Sequence, residues 1–209
     1  AIFVGGVGLL ADSYDFAIIN LVRASLAAEY PVGGDFSTSW QRSMITAASI
    51  FGAMAGQLLL GYLADHLGRR RLLLLSGSLT FLGSLGSACA FDFGPHHIGV
   101  WTTLIACRFV MGVGIGGEYP LSASHTAEHS RAGESGIRLA LVFVLFGVGP
   151  VLAALVVYIC QLAGASHAFI WRFAFGFGAL LSVAAVTLRY RLVRNSDQFE
   201  RVQQQRAEQ

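Results

Sequence analysis

Residues 61–71 read GYLADHLGRRR. An acid, a glycine and three consecutive arginines stand between two apolar runs, residues 40–63 and 72–91. Each run is long enough to cross a hydrocarbon core, which takes about 20 apolar residues in helical form. A charged turn this short between two such runs predicts a membrane hairpin whose arginines stay on one side of the bilayer.

Outward from that hairpin the same pattern repeats. Residues 1–28, 98–124, 137–163 and 168–190 form four further apolar runs, so six spans are expected within residues 1–190. Residues 191–209 are polar and read as a cytoplasmic tail or the start of a linker. Composition agrees: the chain is 55% hydrophobic and 12% charged, with a mean hydropathy of +0.61. Soluble domains carry about 25% charge. A net charge of +2 gives no reason to expect nucleic acid. The chain opens inside an apolar run without a Met, which predicts a truncated N-terminus; the length and two acids of that run argue against a cleaved leader.

All fourteen basic residues are arginine. Arg69, Arg70, Arg71, Arg131, Arg138, Arg189, Arg191, Arg194, Arg201 and Arg206 fall on one side of a six-span topology. Arg23, Arg42 and Arg172 fall on the other. The richer side is expected in the cytoplasm, with both ends of the chain. Cys89, Cys107 and Cys160 lie in apolar runs, fit no metal or disulfide spacing and are expected to be buried thiols.

Four ionisable residues remain inside the spans: Asp12, Asp15, Arg108 and Glu118. A charge at membrane depth costs roughly 2.5–3.5 kcal/mol on insertion scales, so such residues mark solute and ion paths. Asp12 and Asp15 are three apart and share a helix face. Two close carboxylates in a low-dielectric cavity repel, and one bound proton relieves them. Arg108 offers a planar fork suited to phosphate or carboxylate, either binding an anion or holding one of the acids. Glu118 lies ten residues further, about 15 Å along a helix axis, and reads as a proton relay or substrate contact. Tyr119 beside it can donate a hydroxyl. Gly112, Gly114, Gly116 and Gly117, with Gly147 and Gly149 before Pro150, predict close helix approach. Pro120 and Pro150 predict kinks. His96, His97, His125, His129 and His167 have no ligand spacing, so no metal and no cofactor are expected. The charges stand singly without a nucleophile–base pair, which argues against an enzyme.

The 61–71 loop resembles the signature loop between the second and third helices of the major facilitator superfamily. Residues 108–130, RFVMGVGIGGEYPLSASHTAEHS, are similar to the fourth helix of its phosphate:proton symporter branch. ADSYDFAIINL (11–21) and WRFAFGFGA (171–179) are similar to the first and sixth helices of such carriers. The resemblance implies an all-α membrane protein: the N-terminal six-helix bundle of a twelve-helix carrier, without its C-terminal bundle. It implies proton-coupled symport of inorganic phosphate or a small organophosphate by alternating access. Arg108, Glu118, Tyr119, Asp12 and Asp15 would then serve substrate binding, and Asp12, Asp15 and Glu118 proton coupling. Asp65, Arg69, Arg70, Glu128 and Arg138 would form an inner gate. The partners implied are a small anionic solute, a proton, the lipid bilayer and the missing C-terminal half, and the location implied is a plasma membrane.

Two departures widen the substrate class. The branch usually has Asp where this chain has Glu118, and commonly a Gln where this chain has Phe146. The tail NSDQFER (195–201) is more similar to relatives that carry glycerophosphodiesters or other organophosphates. The alternatives are a sugar or other organic-solute carrier of the same superfamily, and a non-transporting receptor or half-length membrane protein.

Overall fold

The computed structural model describes residues 2–30, 36–67, 69–92, 98–128 and 135–192, and six long helices account for nearly all of them. They are α1 (Ile2–Glu29), α2 (Phe36–Leu67), α3 (Arg69–Ala88), α4 (Ile98–Glu128), α5 (Ser135–Leu162) and α6 (His167–Leu192). Each overlaps one expected span. Helices are what apolar runs must form in lipid, because only a helix satisfies every backbone group within its own segment. Five windows are long and apolar enough to cross a membrane: Ser43–Ala64, Arg71–Ala88, Gly99–Leu121, Phe143–Leu162 and His167–Arg191. The described part of α1 carries Asp12, Asp15 and Arg23 and yields no such window. Pro120 and Pro150 sit inside helices that continue through them.

The packing order has an internal symmetry. α2 packs on α4 as α5 packs on α1, α3 packs on α4 as α6 packs on α1, and α3 packs on α6. Exchanging the triplet α1–α3 for α4–α6 leaves this pattern unchanged. The second half of α1 and the first half of α4 enter one core, so the triplets run in opposite directions. That is the signature of an inverted repeat.

Small residues set the α2–α4 crossing. A Cβ on Gly52 would strike the Phe109 carbonyl, and one on Gly112 would strike that of Ser49. Gly56 and Gly116 repeat the arrangement one turn on, against Val113 and Ala53. Spaced four apart on both helices, these glycines let the backbones touch. Gly114 meets Ser76 and Thr80 of α3, and Gly149 meets Ser13 and Tyr14 of α1. Gly147 departs from expectation: it is exposed, with open space where a Cβ would stand. It lies on an exposed face of α5, one turn from Val144 and Val151, which are also exposed. Two residues past the end of α5 stands Gly164, whose φ of 66° is left-handed. Gly164 N–H donates to the Gln161 carbonyl and Ala165 N–H to that of Cys160, closing a Schellman motif.

Two apolar cores stand at opposite ends of the bundle. The larger gathers Ile18, Val22, Val100, Trp101, Val157, Trp171 and Phe175, among others. The smaller is Leu60, Ala64, Leu72, Leu73 and Leu121. Among the cysteines, only Cys160 is buried; Cys89 is exposed because it follows the last turn of α3.

Candidate buried charge layer

Between the two cores lie five fully buried acidic or basic side chains among the described residues: Asp12, Asp15, Arg108, Glu118 and Arg189. They form two clusters, as the ten-residue separation on α4 requires.

The cluster beside the larger core, named outer after the expected topology, joins α1, α3, α4 and α6. Ser84 Oγ donates to Asp15 Oδ2 at 2.8 Å. Arg108 Nη1 donates to the main-chain carbonyl of Asp15 at 3.2 Å and meets Met111 Sδ at 2.9 Å. The guanidinium lies 4.0 Å from the centroid of the Phe175 ring, a cation–π geometry that a desolvated Arg favours. A Cβ on Gly178 of α6 would run into the Asp15 carboxyl, so that glycine makes the room. Nε and Nη2 of Arg108 and Oδ1 of Asp15 have no hydrogen-bond partner among the described residues. Tyr14, next to Asp15, donates its hydroxyl to the Ala174 carbonyl at 2.9 Å and fixes α1 against α6.

The cluster beside the smaller core, named inner after the expected topology, joins α1, α4 and α6. Arg189 grips Glu118 with both ends of its fork: Nη1 donates to Oε1, and Nη2 to Oε2 at 2.6 Å. Nη1 also reaches the Leu73 carbonyl at 3.4 Å. Asp12 brings its carboxyl beside that of Glu118. The pair is enclosed by two glycines. A Cβ on Gly8 of α1 would overlap the Arg189 guanidinium, and one on Gly77 of α3 would come within 3.2 Å of Nη1.

This division corrects two expectations. Asp12 and Asp15 are not placed side by side as one pair: Asp12 lies beside Glu118, and Asp15 meets Ser84 and Arg108. The turn of the helix between them, about 100° per residue, is enough to send them to different neighbours. Arg189 is not a surface topology arginine. It lies in the last turn of α6 with none of its surface exposed. A signal for it existed in the sequence, since residue 189 falls inside the sixth apolar run with no acid on its own helix to pair with.

Tyr119 and Phe146 stand at the margin of the layer. Their ring centroids are 5.9 Å apart and inclined by 60°, joining α4 to α5. Both are half-buried, and Tyr119 lies close to Asp12 and Glu118. The backbones of Asp65, Arg69, Arg70, Glu128 and Arg138 belong to α2, α3, α4 and α5. Their side chains lie outside the described residues, as do Arg131 and the tail 193–209. No group of three potential metal ligands occurs among the described residues.

A family model described as Major Facilitator Superfamily matches residues 6–208. The chain belongs to the Major Facilitator Superfamily. This major facilitator chain is 36% identical over 163 residues to inorganic phosphate transporter 1-11 of Oryza sativa subsp. japonica, covering 75% of the chain and 29% of the relative. It is 34% identical over 175 residues to low affinity inorganic phosphate transporter 3 of Petunia hybrida, covering 81% and 32%. It superposes on the proton:xylose symporter XylE bound to 6-bromo-6-deoxy-D-glucose with a TM-score of 0.84 at 24% identity, covering 95% of this chain and 45% of that one. A partially occluded inward open form of the xylose transporter XylE from E. coli gives 0.86 at 23% identity, covering 97% and 51%. The major facilitator chain thus spans about a third of the curated relatives it matches and about half of the solved chains. It is the six-helix, multi-pass membrane bundle that its sequence implies.

Proposed function

We propose that this bundle is the N-terminal half of a secondary active transporter that couples proton entry to uptake of inorganic phosphate or a small organophosphate by alternating access. One observation carries the reading: five acidic or basic side chains are buried between two apolar cores, in a chain whose relatives are inorganic phosphate transporters. Spanning a bilayer needs no buried charge, whereas moving a proton with an anion does.

Within that reading Tyr119, at the margin, contacts the solute. Asp12 and Glu118 carry the proton chemistry directly behind it. Arg108 and Asp15 hold α1, α4 and α6 in register, with Arg108 offering its unpartnered Nε and Nη2 to an anion when the helices part. Asp65, Arg69, Arg70, Glu128 and Arg138 form the inner gate on the cytoplasmic side. The second bundle supplies the rest of the site, and the plasma membrane houses the carrier.

The test is uptake of labelled phosphate by cells expressing the complete gene, at acidic and alkaline external pH, with and without excess glycerophosphodiester. Acid-stimulated uptake is the expected result, and inhibition by the diester places organophosphates among the substrates. No uptake at either pH, with protein at the cell surface, overturns the reading. The aromatic pair Tyr119–Phe146 favours a second reading, an organic solute such as a sugar; uptake indifferent to excess phosphate would support it.

A further inference from the structure

Charge balance separates the two clusters. The outer one holds one carboxylate, Asp15, and one guanidinium, Arg108. The inner one holds two carboxyls, Asp12 and Glu118, and one guanidinium, Arg189. With every group ionised the inner cluster carries one surplus negative charge in a dry setting, and a single bound proton removes it.

The two inner carboxyls are not equivalent. Glu118 has both oxygens engaged by Arg189. Asp12 Oδ2 has no partner among the described residues. Among the described residues, the titratable and charged groups facing Asp12 are Glu118 and Tyr119 of α4, Arg189 of α6 and, on its own helix, Asp15. Gly8 and Gly77 close over the ion pair from α1 and α3, and the Leu73 carbonyl anchors Nη1, so Arg189 has little freedom to leave Glu118.

We propose that Arg189 is a positioning residue for proton coupling: it occupies Glu118 as a fixed counter-ion, so that the transported proton resides on Asp12. The inference rests on the proton-coupled reading above and adds to it the place of the proton and the part played by α6. The step is a proton transfer alone. A proton from the outer solvent is accepted by the Asp12 carboxyl beside Glu118 and later released to the inner solvent, while the Glu118–Arg189 pair stays closed.

The test uses infrared difference spectra of the purified complete protein as a function of pH, reading the carbonyl stretch of protonated carboxyls, beside the pH profile of uptake. The wild type should show one band that shifts on labelling aspartate at its side-chain carboxyl with carbon-13 and vanishes in Asp12→Asn. Arg189→Gln should add a second band, from Glu118, and move the uptake profile. Glu118→Gln hands Arg189 to Asp12 and should abolish the band and acid stimulation together. The double variant Glu118→Gln/Arg189→Gln removes the pair as a unit, so it should fold and regain the single aspartate band. A wild-type band insensitive to the aspartate label places the proton on Glu118 and overturns the proposal. So does an Arg189→Gln protein with the wild-type bands and profile, or a folded double variant without the band. The spectra need no substrate, so failure of the phosphate reading is visible in uptake and leaves this result separate.

Discussion

Arg108 meets Asp15 through the main-chain carbonyl at 3.2 Å, while the carboxylate of Asp15 takes the hydroxyl of Ser84 at 2.8 Å. The guanidinium is held by a backbone oxygen, a sulfur and the face of Phe175, and Asp15 balances it without a fork-to-carboxylate clasp like that of Arg189. Lysine cannot reproduce the stacking on Phe175 or the planar fork. Arg108→Lys should therefore lower uptake at least about tenfold, the equivalent of roughly 1.4 kcal/mol. Arg108→Ala and Asp15→Asn should abolish it, each leaving a buried charge alone. Full uptake by both variants, at normal surface expression, would remove this cluster from the transport machinery.

The inner ion pair depends on the absence of a methyl group. Gly8→Ala would put a Cβ into the Arg189 guanidinium. Breaking a buried pair costs about 3–5 kcal/mol, so the variant should lose much of its thermal stability in detergent along with uptake. Gly147→Ala is the control. It meets open space on an exposed helix face and should change stability by less than about 1 kcal/mol, in the direction of more helix.

The α2–α4 crossing makes a prediction about packing alone. Gly112→Val would force apolar bulk against the Ser49 carbonyl. Overpacking typically costs about 1–3 kcal/mol. A lowered unfolding temperature is expected, with the acid stimulation of whatever uptake survives unchanged, because no charged group lies at this contact. An altered pH profile would contradict the assignment of this crossing to structure.

Tyr119 separates a hydroxyl role from a ring role. Tyr119→Phe keeps the 5.9 Å contact with Phe146 and removes only the donor. A hydroxyl bound to an anionic solute should cost about 1.5–3 kcal/mol when lost, seen as a KM for phosphate raised by roughly tenfold or more with little change in maximal rate. Tyr119→Leu should in addition lower surface yield. A KM unchanged in Tyr119→Phe would leave the ring as a packing group.

The fold was legible because a bilayer reduces the question to counting apolar residues, and runs such as 40–63 and 72–91 leave little choice. The cluster members on α1 and α4 were legible for the same reason: Asp12, Asp15, Arg108 and Glu118 are expensive where they stand. Their partners were not. Whether Asp12 turns toward Asp15 or toward Glu118 depends on helix rotation and on which neighbours lack a side chain, as Gly8, Gly77 and Gly178 do. Arg189 was hidden by its place near a span's end, where an arginine ordinarily marks the cytoplasmic boundary. Only the packing of α6 on α1 and α3 shows that it turns inward.

The two apolar cores have an electrical consequence. They are insulating plates, and the charge layer is a polar stratum held between them. A proton reaching Asp12 from either face has passed one plate and with it a share of the membrane potential, each full charge crossing being worth about 2.3 kcal/mol per 100 mV. In the proposed carrier, occupancy of Asp12 would therefore register voltage as well as acidity, and the position of the layer between the plates would set how the gradient's two components are weighed against each other.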